Sequence, residues 1–222
     1  MTPVPIEGVV RGRGVGEVVA SKDPNFEVGR MVQGMFGWQD FALARSGDDQ
    51  LSKIDLIPAD VAPQHTIGAV GPPGFTAYIG MMDMGKMQAG KTVLVSGAAG
   101  ATGSVAAQIA RLKGASKVVG IAGGEAKCRW LLDEAKLDGA IDYKAENLLE
   151  RLGEEFPNGV DLFFDNVGGE ILETALLSMA PRGRVVLCGS ISGYNQADVP
   201  PGPRSLTVAI LKELTLKGFV HH

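Results

Sequence analysis

The chain has 222 residues, of which 45% are hydrophobic, and 21 Lys+Arg against 25 Asp+Glu give it a formal net charge of −4. This balance excludes a disordered chain and offers no basic footprint for nucleic acid or an anionic membrane. No apolar stretch approaches the ~20 residues that a membrane span requires. The two cysteines, Cys128 and Cys188, form no CxxC motif, which excludes a disulfide framework or a cysteine zinc cage and favours a reducing, cytoplasmic setting.

The first 60 residues are predicted to be rich in β-strands. Glycines separate short valine pairs, the alternation of apolar and polar residues over 26–34 predicts a half-buried strand, and 38–43 predicts the next one. These strands are typical of an antiparallel barrel or sandwich, although they are too few to close a barrel alone. The proline pair at 72–73 is predicted to break the chain, and the spacing over 75–84 predicts a helix.

From residue 91 onwards, strand patterns and helix patterns alternate. The predicted strands cover 92–95, 118–121, 139–141, 160–164, 184–187 and 214–219. The predicted helices cover 104–113, 125–135, 145–155 and 169–180. The first strand is a continuous apolar run, which is typical of a strand buried on both faces of a parallel sheet. The sequence therefore predicts an α/β fold with a doubly wound, mostly parallel sheet.

The glycine-rich turn at 96–103 is a variant of the dinucleotide-binding fingerprint. Small residues let the backbone approach a pyrophosphate, and the N-terminus of the following helix offers unpaired N–H groups. The same spacing also fits a tight strand-to-helix turn that binds nothing. The repeated strand–helix units that follow favour a nucleotide.

The end of the second strand indicates which nucleotide. An acid that would bind the ribose 2′-OH of NAD is expected about 20 residues after the fingerprint, but the strand ends in Gly123-Gly124. Lys127, in the first turn of the next helix, can supply a counter-charge to a 2′-phosphate, with Arg129 as a weaker candidate. Alternatively, Lys127 only solvates the helix surface. The missing acid and the nearby cations favour NADP(H) over NAD(H).

Two further loops follow the carboxyl ends of strands, where open α/β sheets bind ligands. They lie at 165–169 and 188–195. For Asp165 we favour a role as the N-cap of the next helix over a catalytic role. Cys188 is interpreted as a small buried residue. The phenol of Tyr194 can donate to a developing oxyanion or hold a ribose, or it can simply line its loop.

These segments resemble the zinc-free leukotriene B4 12-hydroxydehydrogenase and prostaglandin reductase family of the medium-chain dehydrogenase/reductase superfamily. The matching residues lie at 28–32, 37–39, 71–78, 96–103, 125–127, 141–144, 164–169, 188–195, 200–203 and 218–219. The resemblance covers nearly the whole chain, and the Gly-x-Ile-Ser-x-Tyr-Asn segment at 189–195 is specific to this branch. It implies a partial, β-rich GroES-like substrate domain at 1–70 and a Rossmann NADP-binding domain with its entry helix at 71–222.

The resemblance implies NADPH-dependent reduction of the C=C bond of α,β-unsaturated ketones or aldehydes. A hydride goes to the β-carbon, and the resulting enolate is then protonated. Tyr194 is the implied catalytic residue, and no metal ligand is implied. The implied cofactor-binding residues are Gly100, Ala101, Thr102, Gly103, Gly124, Lys127, Tyr143, Asn166, Cys188, Gly189, Ser190, Ile191 and Tyr194.

The family pattern also extends before Met1 and after Phe219, so we expect a chain truncated at both ends. Family members pair through the last strand of the Rossmann sheet, which implies a homodimer. The expected partner is a small unsaturated carbonyl compound. Two alternatives stay open: an NADPH quinone oxidoreductase of the same superfamily, and an inactive cofactor-binding fragment.

Overall fold

The computed structural model describes residues 4–45, 54–196, 202–204 and 206–220. The chain divides into two units, Met1–Pro73 and Gly74–His222. The first unit contains a small antiparallel sheet of the strands β1 (Gly14–Glu17), β2 (Met31–Gly34) and β3 (Asp55–Leu56), in that order, followed by the short helix α1 (Pro63–Thr66).

The strand predicted over 26–34 begins only at Met31. Residues before it form the turn between β1 and β2, in which Gly29 adopts a positive φ of +88°. The Gly29 N–H donates to the Val18 carbonyl at 2.8 Å, which closes this turn. The alternating pattern therefore extended across a hairpin turn that lies beyond the paired residues of β1 and β2.

The strand predicted over 38–43 is wrong, because the structure describes these residues as irregular. Gly37 has a positive φ of +73° and turns the chain after β2. The Trp38 N–H then donates to the Val10 carbonyl at 2.9 Å, but no ladder continues beyond it. The apolar residues of this segment are exposed instead of buried, Trp38 by 76%.

The second unit is built on a sheet of six parallel strands in the order β6-β5-β4-β7-β8-β9. The strands are β4 (Thr92–Ser96), β5 (Lys117–Ala122), β6 (Gly139–Asp142), β7 (Val160–Asp165), β8 (Met179–Leu187) and β9 (Thr215–Gly218). The further helices of the chain are α2 (Pro72–Tyr78), α3 (Ala101–Leu112), α4 (Glu125–Asp133), α5 (Leu148–Glu155), α6 (Gly169–Leu177) and α7 (Leu206–Leu211). The predicted doubly wound parallel α/β sheet is confirmed.

Successive side chains of the central strands belong to two different apolar clusters. Val93 and Phe164 belong to one cluster, and their neighbours Leu94 and Phe163 belong to the other; all four are fully buried. Side chains alternate across a strand, so both faces of the sheet are covered. This explains why the strands are continuous apolar runs in the sequence.

The helix predicted over 75–84 differs in its start and in its form. It begins at Pro72, because proline is tolerated in the first turn of a helix, where its missing N–H costs nothing. Residues Ile79–Met84 then form a π-helix, and the Gly85 N–H donates to the Gly80 carbonyl at 2.7 Å. Proline was therefore a start signal here and not a break. Other helix boundaries shift by a turn or less.

Candidate nucleotide-binding site

The carboxyl edge of the parallel sheet carries the predicted site residues in the segments that follow five strands, β4 to β8. Strands β4 and β7 are neighbours at the centre, and the chain proceeds from them towards opposite edges of the sheet. At such a switch point the loops after the two strands diverge and leave a crevice, where open α/β sheets bind ligands.

The glycine-rich turn after β4 leads directly into α3. Gly97 has a positive φ of +57°, and Gly100 is the N-cap residue, with no side chain capping the helix. Ala101, Thr102 and Gly103 are the first three residues of α3. A Cβ atom on Gly103 would lie 2.3 Å from the Gly97 carbonyl oxygen, so only glycine permits this close approach of helix and turn. The first N–H groups of α3 are therefore available to an anion.

The tip of β5 is closed by an acid from the neighbouring strand. Gly124, the N-cap residue of α4, has a φ of +100°, and its N–H donates to Asp142 Oδ1 at 2.9 Å. The Lys144 N–H donates to the same oxygen at 3.0 Å. These two hydrogen bonds hold the pKa of the Asp142 carboxyl below its usual range. As the sequence predicts, β5 itself ends without an acid; the carboxylate at this tip comes from the neighbouring strand β6 and is engaged by the backbone.

The two cations predicted on α4 differ in their surroundings. Arg129 forms an ion pair with Glu125 one turn earlier, which neutralises its charge locally. Lys127 is exposed, and within the described part of the chain it has no ion-pair partner. Tyr143 follows β6 and is half exposed. Of the predicted cations, Lys127 is the one whose charge is available to a ligand.

A buried carboxylate joins the loops after β4, β7 and β8. Asp165 has no solvent exposure, and its Oδ1 accepts a hydrogen bond from Ser96 Oγ at 2.6 Å. It also accepts from the N–H groups of Val167 and Gly168, at 3.0 Å each. The main-chain carbonyl of Asp165 accepts from the N–H of Cys188 at 2.8 Å. Burial raises the pKa of the Asp165 carboxyl despite these donors.

Asp165 is not the N-cap residue that the sequence suggested. The N-cap position of α6 belongs to Gly168, which has a φ of +70°. The carboxylate instead orders the loop before the helix. Its neighbour Asn166 donates from Nδ2 to the Ser96 carbonyl at 2.7 Å, which adds a second connection between β4 and β7.

The loop after β8 folds onto the loop after β7. The Ile191 N–H donates to the Asn166 carbonyl at 3.3 Å, and a Cβ atom on Gly189 would lie 2.9 Å from the same oxygen. Burial, with the charge of Asp165, raises the pKa of the Cys188 thiol to about 11, so it stays protonated at neutral pH. The structure thus brings Gly189 and Ile191 beside Asn166, and places Cys188 on the backbone of β7.

Tyr194 follows the 3₁₀ turn Ile191–Gly193 and is 63% exposed. Its phenol oxygen accepts a hydrogen bond from the Ser190 N–H at 3.1 Å. Among the described residues no acceptor of the Tyr194 hydroxyl proton is found, so this proton can donate to a ligand. Lys127, in the first turn of α4, and Tyr143, after β6, lie near the other end of this edge, so the predicted residues form a row along the sheet and not one cluster.

Sequence reasoning missed Asp142 and Lys144. The available signal was the strand order, because a parallel β5–β6 pair places Asp142 directly opposite Ala122 at the end of β5. Within the described ranges, no group of three or more His, Cys, Asp or Glu residues is arranged to hold a metal ion. Likewise, no helix of the described part is long and apolar enough to cross a membrane.

Two family models match the chain. The model described as zinc-binding dehydrogenase covers residues 101–221, and the model described as N-terminal domain of oxidoreductase covers residues 1–54. The chain belongs to the zinc-binding dehydrogenase family. The resemblance to its zinc-free prostaglandin reductase branch is also confirmed by the relatives it matches.

The similar proteins are named as reductases. The NADPH-dependent curcumin reductase of Escherichia coli (strain K12) is 38% identical over 222 residues, which are 98% of this chain and 63% of that protein. Prostaglandin reductase 1 of Bos taurus is 43% identical over 96% of this chain and 64% of that protein. The crystal structure of CurA from Vibrio vulnificus in complex with NADPH superposes with a TM-score of 0.87 at 37% identity, over 99% of this chain and 65% of that one. The chain thus spans somewhat less than two thirds of these relatives.

The hydrogen bonds of Asp165 generate a stability prediction. Asp165→Asn should lower the free energy of unfolding by about 1–3 kcal/mol. The carboxylate accepts hydrogen bonds from three donors, and the NH₂ group of an amide would face at least one of these donors and lose its hydrogen bond. Urea unfolding followed by circular dichroism measures the change. Asp133→Asn, at an exposed position of α4, is the matched control and should stay within about 0.5 kcal/mol of the wild type. Equal effects of the two substitutions would show that the Asp165 network contributes nothing.

Proposed function

We propose that this chain binds NADPH along the carboxyl edge of its six-stranded sheet and that the whole protein reduces the C=C bond of α,β-unsaturated ketones or aldehydes. The observation that carries the proposal is the row of glycine-rich turns, helix N-termini and an exposed lysine along the carboxyl edge of the sheet, which includes the switch point between β4 and β7. The similarity to an NADPH-dependent curcumin reductase and to prostaglandin reductases supports it. A small unsaturated carbonyl compound is the proposed substrate, and the cytoplasm the proposed location.

The turn after β4 fits a pyrophosphate. Its backbone is exposed at Gly100, and the uncapped start of α3 points N–H groups and the positive end of the helix dipole in one direction. When bound, the nicotinamide supplies the hydride. The residues of this chain bind and orient it, and they stabilise the charge that develops on the substrate oxygen.

The tip of β5 fits the ribose 2′-phosphate better than a free 2′-hydroxyl. The Asp142 carboxylate already accepts two backbone hydrogen bonds, whereas the exposed Lys127 ammonium has no ion-pair partner among the described residues. A Cβ atom on Gly124 would have no other atom within 4 Å, so the space beside the tip is open. This arrangement favours NADPH over NADH.

Lys127→Ala should weaken NADPH binding by about 10- to 100-fold, because a hydrogen bond to a charged group contributes ~1.5–3 kcal/mol. NADH binding should hardly change, because NADH has no 2′-phosphate. Calorimetric titration of both cofactors measures the two effects. Arg129→Ala is the matched control, since Arg129 is paired with Glu125 and should affect neither cofactor strongly. If Lys127→Ala weakens both cofactors equally, the lysine supports the helix and recognises no phosphate.

Tyr194 is the proposed catalytic residue, because its hydroxyl proton is free while its oxygen is held by the Ser190 N–H. Tyr194→Phe should lower kcat for enone reduction by about 10²–10³, since one oxyanion donor contributes ~2.7–4 kcal/mol. The NADPH affinity should change less. The measurement is the rate of NADPH oxidation by the full-length protein, with an enone or with a quinone as the acceptor.

Ser192→Ala provides the control for Tyr194. It removes a hydrogen bond of the same loop, from Ser192 Oγ to the Val167 carbonyl at 2.6 Å, without touching the phenol. If Tyr194→Phe keeps the wild-type kcat, Tyr194 is a packing residue and the catalytic assignment fails. A protein that reduces quinones but no enone would instead support the quinone oxidoreductase alternative.

We also propose a homodimer formed through β9. This strand lies at the edge of the sheet and pairs only with β8 in the described part of the chain. An open strand edge is a template for pairing with another chain. Nearby α7 exposes Ile210 by 78% and Leu211 by 79%. Sedimentation should show a dimer at micromolar concentration, and a monomer across all concentrations would contradict the proposal.

A further inference from the structure

Lys144 lies over the same glycine pair that ends β5. A Cβ atom placed on Gly123 would be 2.9 Å from Lys144 Cε and 2.8 Å from Tyr143 Cε1. The Lys144 ammonium is one bond beyond Cε. The Lys144 charge therefore lies at the tip of β5, although Lys144 follows β6 and Lys127 lies in α4.

The backbone of Lys144 is held in register with this tip. Its N–H donates to Asp142 Oδ1 at 3.0 Å, and the Gly124 N–H donates to the same oxygen at 2.9 Å. One carboxylate oxygen thus joins the turn after β5 to the turn after β6. The position of Lys144 relative to Gly124 is consequently set by hydrogen bonds and not by the flexible side chain alone.

The acids around Lys144 are already engaged. Its charge helps to keep the pKa of Asp142 low, yet it lies in no ion pair within 4.0 Å in the described residues. Glu146, two residues further on, accepts from the Asp142 N–H and forms an ion pair with Arg151 at 2.7 Å. The Lys144 ammonium therefore keeps capacity for a further anion.

The two glycines at the tip of β5 differ in how much space lies beside them. At Gly123 the side chains of Tyr143 and Lys144 fill the volume that a Cβ atom would occupy. At Gly124 nothing lies within 4 Å of that volume. The space beside Gly124 is therefore open to an anion, and the Lys144 side chain lies against the adjacent Gly123.

We propose that Lys144 is a second specificity-determining cation, which together with Lys127 selects the 2′-phosphate of NADPH. The inference rests on the proposed NADPH function and deepens it. The two lysines approach the tip from different elements, Lys127 from α4 and Lys144 from the turn after β6. Two point charges from two elements bind a dianionic phosphate more tightly than either one alone.

The test uses adenosine 2′,5′-bisphosphate and 5′-AMP, which differ only in the 2′-phosphate. Calorimetric titration should show that Lys144→Ala weakens binding of the bisphosphate about tenfold and changes 5′-AMP binding less than about twofold. Lys144→Arg should retain most of the preference, because it keeps the charge. Lys113→Ala is the matched control, since Lys113 is exposed beyond the opposite end of α3 and should change neither affinity.

The outcomes separate this inference from the proposed function. If the wild type prefers the bisphosphate and Lys144→Ala keeps that preference in full, the role of Lys144 is overturned and the NADPH proposal stands. Equal weakening of both probes would also overturn it, because Lys144 would then only support the turn. If the wild type binds both probes equally, both proposals fail.

Discussion

The hydrogen bonds around the Asp165 carboxylate are the constraint on which the binding edge depends. This side chain is fully buried without a cation among its hydrogen-bond partners, so three donors from two loops have to compensate for the lost hydration. These hydrogen bonds hold the end of β4, at Ser96, against the loop before α6. The main chain of Asp165 fixes the start of the loop after β8 in turn. A substitution of Asp165 is therefore expected to alter the loops after β4, β7 and β8, the last of which carries the proposed catalytic residue Tyr194.

The other end of the edge is organised by a second acid with a different role. Asp142 is at the surface, and it joins the turns after β5 and β6 by accepting from Gly124 and Lys144. Because its carboxylate is engaged, the charge that remains available at the tip is that of the free lysines. The two acids thus have different roles. Asp165 maintains the shape of the central crevice, and Asp142 positions the cations that we propose to bind the 2′-phosphate of the cofactor.

The sequence was sufficient to predict the parallel sheet and its order of elements, because strands buried on both faces are continuous apolar runs. The sequence was insufficient in the first unit, where the strand predicted over 38–43 had no partner strand to pair with in the described residues. The π-helical turn Ile79–Met84 has the same residue types as an α-helix and left no separate signal.

The candidate site was predicted residue by residue but not contact by contact. Lys127 and Tyr194 were identified from local motifs, and their assigned roles stay predictions. The contacts of Asp142 with Gly124 and of Asp165 with Ser96 were not predictable, because they join residues that are far apart in the sequence. Ser96 and Asp165, for example, meet only because β4 and β7 are neighbours in the sheet.

Amide hydrogen exchange, followed with and without NADPH, tests the central claim most directly. The account predicts slower exchange in the presence of NADPH at 97–104, 123–128 and 188–194, the loops of the carboxyl edge. With NADH, protection at 123–128 should be weaker, because NADH has no 2′-phosphate to contact the lysines. Unchanged exchange in all three loops, or protection confined to other parts of the chain, would contradict the assignment of this edge as the NADPH site.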